Sequence, residues 1–298
     1  MDQVPGSPQE SRGESGLPRC YRHPDRETGI TCTRCERPVC PECMISASVG
    51  FQCPECVRGG SGTGHAPTAT QPRTVAGGTI SADPRLVTKV LLGLNIALFL
   101  VQMAIGDRFT DQYDMLGRAF VPELGSVEGV AEGQWYRLVT AMFLHGSVMH
   151  IAFNMLSLWW IGGPLEAALG RARYIALYLA SGIAGSALTY LLAEPNQPSL
   201  GASGAVFGLF GATAVLMRRL KYDMRPVLVL LAVNLLITKF WPNIAWQAHI
   251  GGLVGGLVVG YAMVYAPRER RSLIQYGSCA LVLVATVVIV LVRTGQLV

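Results

Sequence analysis

The sequence predicts an all-α polytopic membrane protein: a bundle of apolar helices preceded by a small cysteine-rich module. Three observations carry this expectation. The chain is 51% hydrophobic and only 14% charged, against about 25% charged residues in a soluble domain. The charge deficit lies almost wholly after residue 86, where long apolar runs follow one another. Before that point the chain is polar and rich in Cys, Gly and Pro.

Met1 to Gly16 is acidic and polar and has no apolar core of a cleavable signal. Residues 1–18 are expected to be disordered. Residues 19–57 form the cysteine module, with the pairs Cys20-x-x-His23, Cys32-x-x-Cys35, Cys40-x-x-Cys43 and Cys53-x-x-Cys56. Eight ligands in four such pairs fit two structural tetrahedral zinc sites. So short a segment has few large apolar residues and needs a metal staple. The intervals between pairs are eight, four and nine residues. They resemble the cross-braced B-box type of zinc finger, which implies one ion on the first and third pairs and another on the second and fourth. A sequential pairing is the alternative. The expected role is contact with a cytosolic protein partner, or regulation. DNA binding is disfavoured, because Arg22, Arg26, Arg34 and Arg37 are matched by Asp25, Glu27, Glu36 and Glu42. Residues 58–85, rich in Gly, Ser, Thr, Ala and Pro, read as a flexible linker. His65 within it is expected to be exposed rather than a ligand.

Seven spans follow, at roughly 87–105, 139–161, 173–193, 203–217, 226–240, 246–266 and 275–293. A span needs about 20 mostly apolar residues, so the fourth and fifth are short. The first six make a core over 86–267; 268–298 adds one more helix, in which Cys279 reads as a small apolar residue. Lys and Arg in short loops set orientation. Arg85 precedes span one, Arg171 and Arg173 separate two from three, Arg218, Arg219, Lys221 and Arg225 separate four from five, and Arg268, Arg270 and Arg271 separate six from seven. The alternate loops hold few cations, or balance them with acids. The expected placement is therefore multi-pass in a cell membrane, with the N-terminus and its module in the cytosol, where thiols stay reduced, and the C-terminus outside.

That orientation puts Ser203 and His249 at the outer ends of spans four and six. An ionisable residue inside a span is a functional hypothesis by default, and a base beside a serine activates it as a nucleophile. Gly204, Gly208 and Gly211 follow the serine, and Gly251, Gly252, Gly255, Gly256 and Gly260 follow the histidine. Small residues let membrane helices approach closely. His150 and Asn154, four residues apart on one helix face, fall at the same level and can donate to a developing oxyanion. The backbone N–H of Ser203, near a helix start, is a further donor. No acidic residue is expected at that level, so a dyad is predicted rather than a triad. His145 reads as structural, or as helping hold water at the site. Asn234 reads as helix glue. Phe240, Trp241 and Trp246 read as interfacial anchors.

Residues 87–266 resemble the rhomboid intramembrane serine proteases. The resemblance rests on His145-Gly146…His150…Asn154, Gly201-Ala202-Ser203-Gly204, Ala248-His249…Gly252…Gly256 and Gly162…Glu166…Gly170. It extends to Trp135-Tyr136-Arg137, which looks like the family's Trp-Arg element with a Tyr between. It implies Ser203 as nucleophile, His249 as general base, His150 and Asn154 as oxyanion donors, and Phe207 packed on the imidazole. The seventh span resembles the six-plus-one arrangement of some members. Glu166, at the cytosolic side, is expected to hold a helix end near Arg171 or Arg173.

The function expected is hydrolysis of peptide bonds in or next to transmembrane segments of membrane proteins, within the lipid bilayer and without a cofactor in catalysis. The alternatives are an inactive relative that binds membrane helices, which a missing catalytic residue would betray, and a transporter or channel. A transporter predicts polar residues tracking across the whole membrane, whereas these cluster at one level.

Overall fold

A computed structural model describes residues 16–47, 49–61, 73–240 and 245–298. The expectations for residues 1–15, for His65 and for Trp241 lie outside these residues, as do residues 62–72 of the expected linker; the side chain of Phe240 is likewise undescribed. Residues 73–85 of the expected linker are not a free tether: Arg73 and Thr79 form a β-bridge, and buried Ala76 donates its N–H to the Ala168 carbonyl and accepts from Gln275, because a short Gly-containing turn there can pack onto the helices. The chain divides into two compact units, 1–72 and 73–298.

In the first unit the chain folds back on itself with little regular structure. Two short antiparallel strands, β1 (Ile45–Ser46) and β2 (Phe51–Gln52), pair at the tip, and isolated bridges join Arg19 to Glu27 and Thr31 to Pro38. Its buried apolar cluster is Val39 with Cys20, Cys32, Cys40, Cys43 and Cys53. A core made mostly of cysteines buries too little carbon to hold a chain of this size together unaided.

The second unit is helical. Its helices of seven residues or more, among the described residues, are α1 (Leu86–Ile105), α2 (Asp107–Tyr113), α3 (Val148–Leu169), α4 (Arg171–Leu192), α5 (Ser203–Leu220), α6 (Arg225–Phe240), α7 (Trp246–Tyr265) and α8 (Arg271–Leu297). Among the described residues, four helices are long and apolar enough to cross a membrane: α1, α4, α7 and α8 with the turn before it. A fifth is added if α3 is joined to the bent segment before it.

The second expected span is where the reading of the sequence needs correction. The apolar run over 139–161 is not one helix. A short helix (Arg137–Thr140) and a 3-10 turn (Ala141–Phe143) come first, and α3 leaves them at a bend of 92°. Two polar residues make the break. Ser147 has extended backbone and its hydroxyl accepts from the His150 N–H, which starts α3 there. Gln102 on α1 holds the peptide groups of His145, accepting from its N–H at 2.9 Å and donating to its C=O at 3.4 Å. The connection 106–136 is also structured: it carries α2 and a hairpin of β3 (Ala119–Val121) with β4 (Ser126–Glu128).

Glu166 holds a helix end, but not through Arg171 or Arg173. Its carboxylate accepts from the N–H groups of Val87 and Thr88 and from the Thr88 hydroxyl, at 2.9–3.0 Å. It thus satisfies the open N-terminus of α1 from inside the bundle. Arg171 donates instead to the Asp83 carbonyl, and Arg173 to Gln275.

The core lies where α5, α4 and α7 meet. The contact between α5 and α7 is set by glycine. A Cβ on Gly252 would collide with the Gly204 carbonyl oxygen, and one on Gly256 with that of Gly208. These helices touch backbone to backbone, which small residues alone permit. Helix α8 is fastened at both ends: buried Gln275 donates to the carbonyls of Met263 and Ala76, and Thr294 bonds the Tyr190 hydroxyl at 2.8 Å.

Candidate functional site

Ser203 is the first residue of α5, and the loop before it is fixed from several sides. Met115 and Ser199 exchange backbone hydrogen bonds at 2.8 and 2.9 Å, and the Gly201 N–H donates to the Ala141 carbonyl. Gly201 sits at φ +135, where a side chain would be strained and would collide with the His150 ring. Glycine there is what lets His150 come close beneath the serine.

His249 is buried in the first turn of α7. The glycine seam brings that turn against α5, and the imidazole Nε2 lies 2.9 Å from Ser203 Oγ. Phe207, one turn after the serine, stacks on the imidazole with ring centres 4.2 Å apart and planes within 7°. The other ring nitrogen, Nδ1, lies 2.7 Å from Thr238 Oγ1 on α6. A triad would place a carboxylate there; this chain places a hydroxyl.

His150 and Asn154 occupy the first two turns of α3. Asn154 donates one amide hydrogen to the His150 carbonyl, leaving the second free. The Gly146 N–H approaches His150 Nδ1 at 3.4 Å, so the Nε2 side carries the ring proton in the neutral form. That nitrogen is the one near Gly201 and the serine. Ser203, His249, His150 and Asn154 all line one cavity of about 380 Å³, together with Thr238 and Asn234.

The remaining sequence candidates fall elsewhere. His145 is buried in the break before α3, edge-on to His150 with ring centres 5.2 Å apart, and does not line the cavity. Asn234 faces the cavity but bonds the Leu230 carbonyl of its own helix rather than a neighbour. Trp246 is exposed at the start of α7. Arg137 is fully buried and anchors the 106–136 connection: its guanidinium bonds Asp114 at 2.9 Å, Glu128 at 3.4 Å and Gln134 at 2.6 Å. Burial pushes the Asp114 carboxyl up to about 7, with Arg137 pulling against that shift. Nothing in the sequence singles out Thr238 or Gln102. A threonine or glutamine in an apolar run carries no motif, and only the packing reveals what each touches.

In the first unit, two groups of four ligands gather. Cys20, His23, Cys40 and Cys43 form one, and Cys32, Cys35, Cys53 and Cys56 the other, with ligand atoms within 4.8 Å of one another. Either could hold a metal ion. The spacing fits: Cys35 and Cys53 sulfurs are 3.8 Å apart, the separation expected for two bonds of about 2.3 Å at a tetrahedral angle. His23 Nδ1 stands 3.3 Å from the sulfurs of both Cys40 and Cys43. Donors surround the sulfurs as thiolates require. Arg37 donates to Cys35 Sγ and holds that thiol down at about 6, and the Cys53 and Cys56 N–H groups point at the Cys32 and Cys53 sulfurs.

Comparison with known proteins agrees with the second unit. Residues 132–266 match the Rhomboid domain. The chain is 38% identical over 148 residues to the Bacillus subtilis protein YdcA, a match that covers 48% of this chain and 74% of YdcA. It is 33% identical over 218 residues to RHOMBOID-like protein 5 of Arabidopsis thaliana, covering 63% of this chain and 68% of that one. It is also 38% identical over 139 residues to the rhomboid protease GluP of B. subtilis, but spans only 27% of GluP's length and matches over 45% of its own.

Proposed function

The chain belongs to the rhomboid family, a polytopic membrane protein by its apolar helices, and we propose that it is an active intramembrane serine endopeptidase. The observation that carries this is the 2.9 Å approach of His249 Nε2 to Ser203 Oγ inside a cavity that also presents His150 and Asn154. Ser203 Oγ attacks the scissile carbonyl carbon, and its proton passes to His249 Nε2. The carbonyl oxygen becomes an oxyanion within reach of His150 Nε2–H, the free Asn154 amide hydrogen and the N–H groups at the start of α5. Such preorganised donors are often the largest catalytic contribution. The imidazolium then protonates the departing amine, and water repeats the sequence to release the acyl group. The cavity lies at the ends of α5 and α7, in a unit whose long helices are apolar. The substrate class is therefore membrane proteins cut in or beside a transmembrane segment, near the outer face. The Arg-rich loops favour a cytosolic N-terminus and an outward C-terminus.

The two ligand clusters of the first unit suit structural zinc, one through three thiolates and an imidazole, the other through four thiolates. The ion would tie distant turns of the chain together and supply folding free energy rather than chemistry. Contact with a cytosolic protein is the role such a module suits.

The test is reaction of the full chain, in detergent or membranes, with a fluorophosphonate serine probe, alongside cleavage of a transmembrane substrate. Labelling and cleavage are expected in the wild type and absent from Ser203→Ala and His249→Ala. A wild-type chain that takes neither probe nor substrate would instead favour an inactive binder of membrane helices. Labelling that survives in Ser203→Ala would move the nucleophile elsewhere.

A further inference from the structure

The geometry assigns Thr238 a place in the relay behind Ser203: its hydroxyl fixes which nitrogen of His249 is free to act as base. This rests on the reading of Ser203 and His249 as nucleophile and base. A neutral imidazole carries one ring proton, and the nitrogen that carries it cannot accept another. Catalysis needs Nε2 bare, because Nε2 is the nitrogen that faces Ser203 Oγ. Something must therefore keep the proton on Nδ1.

Thr238 meets that need by counting hydrogens. A hydroxyl has one proton to give and two lone pairs to accept with. The Thr238 proton is committed to the Asn234 carbonyl, one turn back on α6, at 2.8 Å. Toward His249 Nδ1, at 2.7 Å, Thr238 Oγ1 is left as an acceptor. Nδ1 must then be the donor, and Nε2 the bare nitrogen. The chain of bonds runs from the Asn234 carbonyl through Thr238 and His249 to Ser203, each link orienting the next.

A threonine that bonds its own helix at i−4 is common and is by itself structural. The contact across to α7 is what gives this one a further role. Stacking on Phe207 cannot supply it. A flat ring against a flat ring holds the imidazole plane equally well after a half-turn about the Cβ–Cγ bond, which would put carbon where Nε2 now stands. Thr238 removes that ambiguity, because only one orientation presents Nδ1–H to its oxygen. A carboxylate would do the same, as in a Ser-His-Asp triad, but at the cost of burying a charge among apolar helices. A hydroxyl orients the base without one. Thr238 is thus a positioning residue, since it acts through His249 Nδ1 rather than on Ser203 Oγ.

The experiment compares Thr238→Val, which keeps shape and loses the hydroxyl, with Thr238→Ser, which keeps it, in the full chain in detergent. Thr238→Val is expected to lose about 10–100-fold in kcat and in the rate of fluorophosphonate labelling, by analogy with the partners that orient metal-bound histidines. KM should change less than about twofold, as for an interaction that serves turnover rather than ground-state binding, and Thr238→Ser should recover most of the loss. Nitrogen-15 spectra of histidine-labelled protein should show His249 protonated at Nδ1 in the wild type and a mixture in Thr238→Val. A wild-type His249 protonated at Nε2, or a folded Thr238→Val that labels at the wild-type rate, would overturn the assignment. If Thr238→Val fails to fold, the wild-type spectrum and the Thr238→Ser rate still decide. Failure of the wild type to label at all would instead count against the protease reading, and the nitrogen spectrum would still test the role of Thr238.

Discussion

The two units of this chain gather reactive side chains by opposite means. In the first, eight ligands come from residues 20–56, close together in sequence, and the chain around them has little core but the cysteines themselves. In the second, Ser203 and His249 are 46 residues apart and are brought to 2.9 Å by helix packing. No ligand is needed for that approach, because Gly252 and Gly256 let α7 press its backbone onto α5. The lesson is about where the organising free energy resides. On the proposed zinc reading, one site should vanish when metal is withdrawn, and the other should yield only to changes in packing or buried charge.

The largest expected effect is therefore on the first unit. Removing metal with a strong chelator should unfold it, since structural zinc supplies on the order of 10–16 kcal/mol in small modules. The same treatment should leave the helical unit intact. Circular dichroism, metal analysis and probe labelling on one sample would check both halves. A chelated chain whose first unit keeps its fold would break the comparison.

Buried charge in the second unit comes next. Arg137 is fully buried against Asp114 and Glu128, and removing one partner of a buried pair typically costs about 3–5 kcal/mol. Arg137→Ala should lower the unfolding temperature in detergent accordingly, and the loss should depend on pH. Asp114 has a folded pKa raised from 3.8 to about 7. Its folded form therefore binds more protons than the unfolded form between those values, and stability falls as pH rises through that window. Without Arg137 nothing offsets the ionised carboxylate, so the variant should be hurt more at pH 8 than at pH 5.5. Equal losses at both would mean that Asp114 is not the group left stranded.

How much of this was legible in the sequence differs between the units for a physical reason. The zinc-type spacing is local, so the four pairs could be read directly. Ser203, His249, His150 and Asn154 stood out because polar residues are costly in apolar runs, and loop arginines placed them at one level. The break before α3 was hidden. The run from 139 to 161 is apolar whether or not it bends, and the bend is made by Ser147 and by Gln102, which arrives from another helix. Glu166 reads as a helix-end residue, yet its partners are backbone N–H groups of α1 about 78 residues earlier. Thr238 had no signal at all, because its meaning depends on which ring nitrogen it meets.

Smaller effects sharpen the contrast. Loss of one oxyanion donor typically costs about 100–1000-fold in kcat, so Asn154→Ala should cleave a transmembrane substrate that much more slowly with little change in KM. Equal loss of binding and turnover would point to helix glue instead. Gly252→Ala tests the seam itself. Its new methyl would meet the Gly204 carbonyl, and overpacking of this kind costs about 1–3 kcal/mol. Because the displaced turn carries His249, probe labelling should fall along with thermal stability. An unchanged labelling rate in a destabilised variant would uncouple the seam from the site.

The smallest expected effect is a null one. All groups of the serine–histidine site lie between Met115 and His249, and both ligand clusters lie between Cys20 and Cys56. The two units are separate compact bodies, divided between residues 72 and 73, and each site is built from the residues of one unit. Deleting residues 1–72 should therefore leave the rate of probe labelling at Ser203 within about twofold of wild type, well inside the 10-fold that corresponds to about 1.4 kcal/mol. The measurement is the pseudo-first-order labelling rate of the truncated and full chains in the same detergent, with Ser203→Ala as the blank. A rate that collapses in a truncated chain with unchanged thermal unfolding would show that the metal-held unit acts on the helix-held one. The two modes of assembly would then be one coupled system rather than two independent ones.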